Sequence, residues 1–133
     1  MRYICHKKYN KIGACNELYN IEVGQIFYTI GKYIADGAKA ICHISSEDAF
    51  KYFAKDDDNQ GLERGRLTYE IAYADRHPNT NNGFRFTEAE RDMLVEQYKE
   101  YIKDNTEYLR FNYNFFNADI NIIKEIANKL GVI

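Results

Sequence analysis

The chain has 133 residues, of which 45% are hydrophobic and 29% charged, and its formal net charge is −2. This composition excludes an intrinsically disordered chain, and the length fits one domain over residues 1–133. No apolar run is long enough to cross a bilayer and the first residues lack the apolar core of a signal peptide, so we expect a cytoplasmic protein without a membrane partner.

The first 44 residues favour β-strands. Arg2–Lys8 and Lys11–Cys15 flank Tyr9-Asn10, which predicts a hairpin with a two-residue turn. β-branched and aromatic residues predict three further strands, the last of them after a turn at Asp36-Gly37: Gln25–Ile30, Lys32–Ile34 and Ala38–Ile44. Together these runs predict a small antiparallel sheet.

The remainder favours helices. Ser45 and Asp48 predict a capped helix that ends near Ala54. A polar loop over Lys55–Gly61 then leads to a second predicted helix, Leu62–Ala74, and turn-forming residues fill Asp75–Phe86.

Two more helices are predicted towards the C-terminus. Thr87 and Glu90 form a capping box for a helix that continues to about Lys103. Asn117 caps a last helix, and Gly131 stands where a left-handed residue would end it. The predicted fold class is α+β, with an N-terminal small antiparallel sheet or open barrel packed against three or four C-terminal helices. Helical spacing predicts one shared core formed by Ala49, Phe50, Phe53, Leu67, Ile71, Leu94, Ile102, Ile123, Ile126 and Leu130.

Several segments carry a resemblance to a known family: Ser45–Ala54, Gly61–Thr68, Asn114–Ala118, the Cys-His strand Tyr3–His6, and Ala40–Cys42 before the first helix. Through them the chain resembles small proteins of no assigned activity that are carried by phages and prophages of Gram-positive bacteria. The resemblance implies a viral accessory protein in the host cytoplasm. Accessory proteins of this size often disarm bacterial defences, which makes an anti-defence role the expectation.

Metal motifs are incomplete in this sequence. Asp56 could open a calcium loop with Gly61 at its sixth position, but the twelfth position, which requires a bidentate Glu, is Leu67. The three cysteines are separated by nine and by twenty-six residues, whereas structural zinc sites usually have paired cysteines two to four residues apart. We therefore predict no metal and no cofactor.

Catalytic motifs are also incomplete. His43-Ile44-Ser45 matches one half of the paired H-x-S/T motif of two-histidine phosphoesterases, and neither His6 nor His77 supplies the other half. No catalytic residue is predicted, and the sequence favours a protein that is not an enzyme. A phosphodiesterase or nuclease of unrecognised type stays open as an alternative.

A basic cluster begins where the second predicted helix begins. Arg64 and Arg66 flank Gly65 in the first turns, where backbone N–H groups and the helix dipole favour an anion. Glycine within a helix often marks the close approach of another backbone or of a ligand. The predicted ligand-binding residues are Arg64, Gly65, Arg66, Tyr69, Tyr73, Arg76, His77 and Arg85. The alternative is that neighbouring carboxylates neutralise these cations as ordinary surface pairs.

Two main hypotheses of function follow. In the first, the protein sequesters a small phosphorylated ligand, such as a nucleotide signal, with arginines on the phosphate and a tyrosine stacked on the base. In the second, it is a protein–protein inhibitor of a host defence effector such as a CRISPR complex, with exposed tyrosines and the acidic residues of Lys55–Glu63 as its contact patch. The sequence leaves open whether the protein forms a homo-oligomer.

Overall fold

The computed structural model describes residues 1–76, 86–105 and 108–133, which form two compact units, Met1–Arg66 and Leu67–Ile133. The elements of the first unit are β1 (Arg2–Cys5), β2 (Tyr9–Ile12), β3 (Leu18–Ile21), β4 (Ile26–Ile30), β5 (Tyr33–Asp36), β6 (Lys39–His43), α1 (Glu47–Tyr52) and β7 (Phe53–Lys55). Helix α2 (Gly61–Arg76) begins in the first unit and continues in the second. The elements that follow are α3 (Glu88–Gln97), β8 (Ile102–Asp104), β9 (Leu109–Phe111), α4 (Tyr113–Phe116) and α5 (Ile120–Lys129). The predicted α+β class with an N-terminal antiparallel sheet is confirmed.

The first unit is built on a five-stranded sheet in the order β6-β5-β4-β1-β7. Every neighbouring pair in it is antiparallel. Alternate side chains of these strands point to opposite faces, and the inner face is apolar. Its buried cluster includes Tyr3, Cys5, Phe27, Ile34 and Phe53.

The hairpin predicted at Tyr9-Asn10 is wrong. Both residues lie inside β2, which pairs with β3, and the chain turns instead at residues 13–17, where Gly13 N–H donates to the Glu17 carbonyl at 2.8 Å. The Tyr9 side chain is fully buried, and its ring packs 5.1 Å from that of Tyr52. Burial of a large aromatic side chain outweighs the turn preference of the residue beside it.

Helix α1 starts and stops close to the predicted limits. Its N-cap is Ser46 rather than Ser45, and the Ser46 hydroxyl accepts the Ala49 N–H at 3.3 Å. The helix ends at Tyr52 because the next three residues pair with β1 as strand β7.

The second unit has its own apolar core, to which Leu67, Leu94, Leu109 and Phe115 contribute. The capping box at Thr87 is confirmed, but α3 ends at Gln97 rather than near Lys103, because the chain turns there and enters β8, which pairs with β9. The last helix is capped by Asp119, not Asn117.

The left-handed conformation expected at Gly131 is present, with φ of +69°. The ten residues predicted to share one core divide between two buried clusters in the described residues. Ala49 and Phe53 belong to the first unit, with Phe50 partly buried beside them, and the other seven belong to the second. None of the helices in the described part of the chain combines the length and the apolar character needed to span a membrane.

Candidate functional site

Arg64 stabilises the acidic loop that precedes α2. The residue is 2% exposed, and its Nη1 donates to the Lys55 carbonyl at 2.6 Å and to Asp58 Oδ1 at 3.0 Å, while Nη2 donates to the other Asp58 oxygen. The bidentate pair lowers the pKa of Asp58 to about 2, because the guanidinium donates hydrogen bonds to the ionised carboxylate. A phosphate at Arg64 would have to compete with Asp58 for the same donors.

Arg2 holds the opposite side of this loop. Its backbone N–H donates to Asp57 Oδ1 at 2.8 Å. Its Nη2 donates to the Asp56 carbonyl at 2.8 Å, forms an ion pair with Asp56 Oδ2 at 3.2 Å and also bonds to the Asn59 side chain. Strand β1 is therefore linked to the loop by both backbone and side chain.

The loop also has internal hydrogen bonds that connect it to α2. Asp56 is 5% exposed, and its Oδ1 accepts the Gly61 N–H at 2.8 Å, so the carboxylate satisfies an N–H group at the helix start. Asp58 Oδ1 accepts the Gln60 N–H at 3.1 Å, and Asn59 takes the left-handed φ of +60° that a tight turn uses. Residues 55–61 are thus pre-organised.

Two glycines, one helical turn apart, bring α2 against β1. A side chain at Gly61 would lie 2.5 Å from Ile4 Cγ2 and 2.6 Å from Asp56 Oδ1. A Cβ on Gly65 would lie 2.8 Å from the His6 Cβ and closer still to two ring atoms. The glycine anticipated as a mark of close approach therefore contacts the His6 ring.

His6 itself is enclosed between α1 and α2. One ring nitrogen, Nε2, lies 3.2 Å from the Phe50 carbonyl oxygen, and burial of the ring lowers the pKa of His6. At neutral pH the ring is therefore uncharged and donates through Nε2–H to that carbonyl.

The other predicted ligand-binding residues have different environments. Arg66 is exposed on α2. Tyr69 and Tyr73 are half-buried and stack on each other, with ring centroids 4.3 Å apart and planes 21° apart. Arg76 is the last residue of α2, its side chain is outside the described part, and His77 and Arg85 lie outside the described residues. The phosphate site stays a prediction.

The pre-organised loop presents one defined surface to solvent. We call it the acidic-loop surface, and it consists of Asp57, Asn59, Gln60 and Leu62, all exposed. Leu62 is 45% exposed. This combination of a carboxylate, two amides and a leucine on a fixed backbone is suited to recognising another macromolecule.

Sequence reasoning missed Arg2 and His6 as residues of this region. Arg2 donates a hydrogen bond to Asp56, 54 positions later, and His6 contacts Gly65 of α2, 59 positions later. No local pattern marks such partners. Only the glycine inside a helical segment gave a signal that something lies against α2.

Within the described part of the chain, the remaining motif residues form no metal centre. In residues 1–76, 86–105 and 108–133, no three of the Cys, His, Asp and Glu side chains are placed together to bind a metal ion. His43 Nδ1 accepts the Ser45 backbone N–H at 3.1 Å and lies 2.7 Å from the Ser45 hydroxyl oxygen. These bonds close the turn before α1.

Comparison with known proteins returns no similarity: no family model, curated protein or solved structure matches the chain.

Proposed function

We propose that the protein is a non-enzymatic accessory protein that binds and inhibits a host protein through its acidic-loop surface. The observation that supports this proposal is the loop itself, which Arg2 and Arg64 hold from two sides while Asp57 and Leu62 remain exposed. Its placement in a phage, and in anti-defence within the host cytoplasm, rests on the sequence resemblance.

Pre-organisation favours recognition. Fixing the backbone of one residue costs roughly 1–2 kcal/mol, and a flexible loop would incur that cost upon binding. Here the hydrogen bonds of Arg2, Asp56 and Arg64 have already fixed residues 55–61. More of the contact energy then remains available for affinity.

The charge of the surface indicates the kind of partner. Asp56 and Asp58 pair with arginines, whereas Asp57 accepts a neutral backbone N–H, so its negative charge is not cancelled by that bond. We therefore expect a host protein that places a Lys or Arg against Asp57 and an apolar side chain against Leu62.

Affinity purification of the tagged protein from host cells tests the proposal. Asp57→Lys should abolish the capture of any specific partner, because the charge that the partner pairs with is reversed. Glu47→Lys is the matched control, since Glu47 is exposed on α1 outside the acidic-loop surface. Circular dichroism should show that both variants are folded. If the Asp57 variant retains the same partner at the same yield, the acidic-loop surface is not the binding site.

A second candidate, sequestration of a nucleotide signal, is favoured by one observation, the stacked pair of Tyr69 and Tyr73. Aromatic pairs on a helix surface offer a face on which a base can stack. Calorimetric titration with linear and cyclic nucleotides should show binding that Tyr73→Leu weakens about 5- to 150-fold, since one stacked base contributes about 1–3 kcal/mol. The absence of heat with every nucleotide would exclude this function. Turnover of a labelled cyclic nucleotide would indicate an enzyme instead.

A further inference from the structure

The outer face of the five-stranded sheet carries an exposed apolar patch. Ile26, Tyr28 and Ile30 alternate along β4 and are 45%, 63% and 56% exposed. Tyr33 on β5 is 41% exposed and lies opposite Ile30 in register, so it shares their face. We call these four residues the sheet-face patch.

The patch is exposed because the first turn of α2 covers a different part of the same face. Ile4 lies opposite Ile26 in register, but it is 7% exposed because Gly61, at the start of α2, lies against it. The four side chains of the sheet-face patch have no such cover and remain accessible. A contiguous exposed apolar patch on a sheet face marks an interaction site.

The patch carries little charge of its own. Arg2 is its neighbour across from Tyr28, and the Arg2 guanidinium is paired with Asp56. Aromatic and aliphatic side chains without a net charge are typical of the core of a protein–protein interface. Such a face favours the binding of an apolar partner over that of a highly charged one.

Charged residues stand at the two ends of β4. Glu22 precedes the strand and Lys32 follows it, and both side chains are exposed. Lys8 lies 3.3 Å from Glu22, but both groups of that pair are more than half exposed, so the pair is weak and leaves Glu22 able to attract a second cation.

We infer that the sheet-face patch binds the same patch of a second copy of the chain, with the two β4 strands antiparallel and face to face. This arrangement places Tyr28 near the twofold axis and brings Lys32 of each copy towards Glu22 of the other. A parallel arrangement would bring like charges together. Both ends of the strand therefore favour the antiparallel homodimer.

The size of the sheet-face patch determines the affinity expected for the dimer. Packed sheets lie about 10 Å apart, and a stable interface buries about 800 Å² on each partner. Four side chains form the core of such an interface rather than all of it. We expect a dimer that dissociates at about micromolar concentration. The inference goes beyond the proposed function, because none of its residues belongs to the acidic-loop surface.

Sedimentation equilibrium between 1 and 300 µM tests the dimer. The wild type should change from monomer to dimer in this range, and Ile30→Glu should remain monomeric, because a carboxylate would be buried in the apolar contact. Leu18→Glu is the matched control: Leu18 is 73% exposed on the β2–β3 hairpin, outside the patch, and its variant should dimerise like the wild type. A monomeric wild type, or an Ile30 variant that still dimerises, overturns the inference.

A charge swap tests the antiparallel arrangement. Glu22→Lys and Lys32→Glu should each weaken dimerisation about tenfold, since twofold symmetry makes two attractive pairs repulsive at once. The double variant should regain the wild-type dissociation constant, because the pairs are restored with reversed signs. If the double variant is weaker than either single variant, the strands do not meet in this arrangement and the inference is wrong. The Asp57→Lys variant should dimerise normally, which separates this test from that of the proposed function.

Discussion

Gly65→Ala should destabilise the first unit although alanine is the better helix former. The new methyl group would lie within 3.0 Å of ring carbons of His6, closer than real Cβ atoms come to their neighbours. The ring cannot simply move away, because Nε2 is bonded to the Phe50 carbonyl on its other side. Either that hydrogen bond breaks or α2 shifts away from β1.

The magnitude follows from three contributions. Replacing a glycine within a helix by alanine stabilises the helix by about 1 kcal/mol. Overpacking a close contact costs about 1–3 kcal/mol, and losing the hydrogen bond to Phe50 costs roughly 1 kcal/mol more. The sum is a net loss of roughly 1–3 kcal/mol in the free energy of unfolding.

Urea unfolding, followed by far-UV circular dichroism, measures this loss. Arg66→Ala is the control, because Arg66 is the next residue on α2 and is exposed, and it should change the stability by less than about 0.5 kcal/mol. In the double variant His6→Ala/Gly65→Ala the methyl group has room, so the two single losses should not add. A Gly65 variant as stable as the wild type, or strictly additive losses, would show that α2 does not rest on His6.

Three further outcomes are expected. Burial lowers the pKa of His6, so the contribution of His6 to stability is present above pH 6.5 and is lost as the pH falls through its folded-state pKa. His6→Gln should therefore flatten the dependence of stability on pH, measured by thermal unfolding between pH 4.5 and 7.5. Arg64→Lys should lower the free energy of urea unfolding by about 2 kcal/mol, because lysine cannot bond both oxygens of Asp58, and an unchanged stability would refute the bidentate role. Tyr98 donates to Glu125 at 2.8 Å, and burial together with that carboxylate raises the pKa of Tyr98 to about 12. Because burial also raises the pKa of Tyr9 to about 12, spectrophotometric titration at alkaline pH should show one fewer late-ionising tyrosine in Tyr98→Phe than in the wild type.

Local chemistry predicted part of the fold. The capping box at Thr87 and the left-handed Gly131 depend only on residues within one turn, and both are present. The strands β4 to β6 were predicted within one or two residues, because their turns carry glycine and their side chains are β-branched or aromatic. Where the decisive contact is local, sequence reasoning succeeds.

Distant contacts account for the errors. Tyr9 lies within a strand rather than a turn because rings from residues 52 and 53 enclose it. Strand β7 replaces the end of a helix because β1, about 50 residues earlier, offers it a pairing edge. At the candidate site, Arg64 was predicted to bind a ligand, and its partners Asp58 and Lys55 were not predicted, since the loop conformation that brings them together depends on Arg2.

The position of β1 has a consequence for how the chain folds during synthesis. β1 is made before both of its neighbours in the sheet, β4 and β7, so its second edge is filled only after Lys55 has been added. At about 5–20 residues per second, the 50 residues between Cys5 and Lys55 take roughly 3–10 s to synthesise. During that interval the apolar side chains of β1 and its free edge are exposed to other chains. Slower translation of this segment should therefore increase aggregation of the nascent protein, whereas slower translation beyond Arg66 should not.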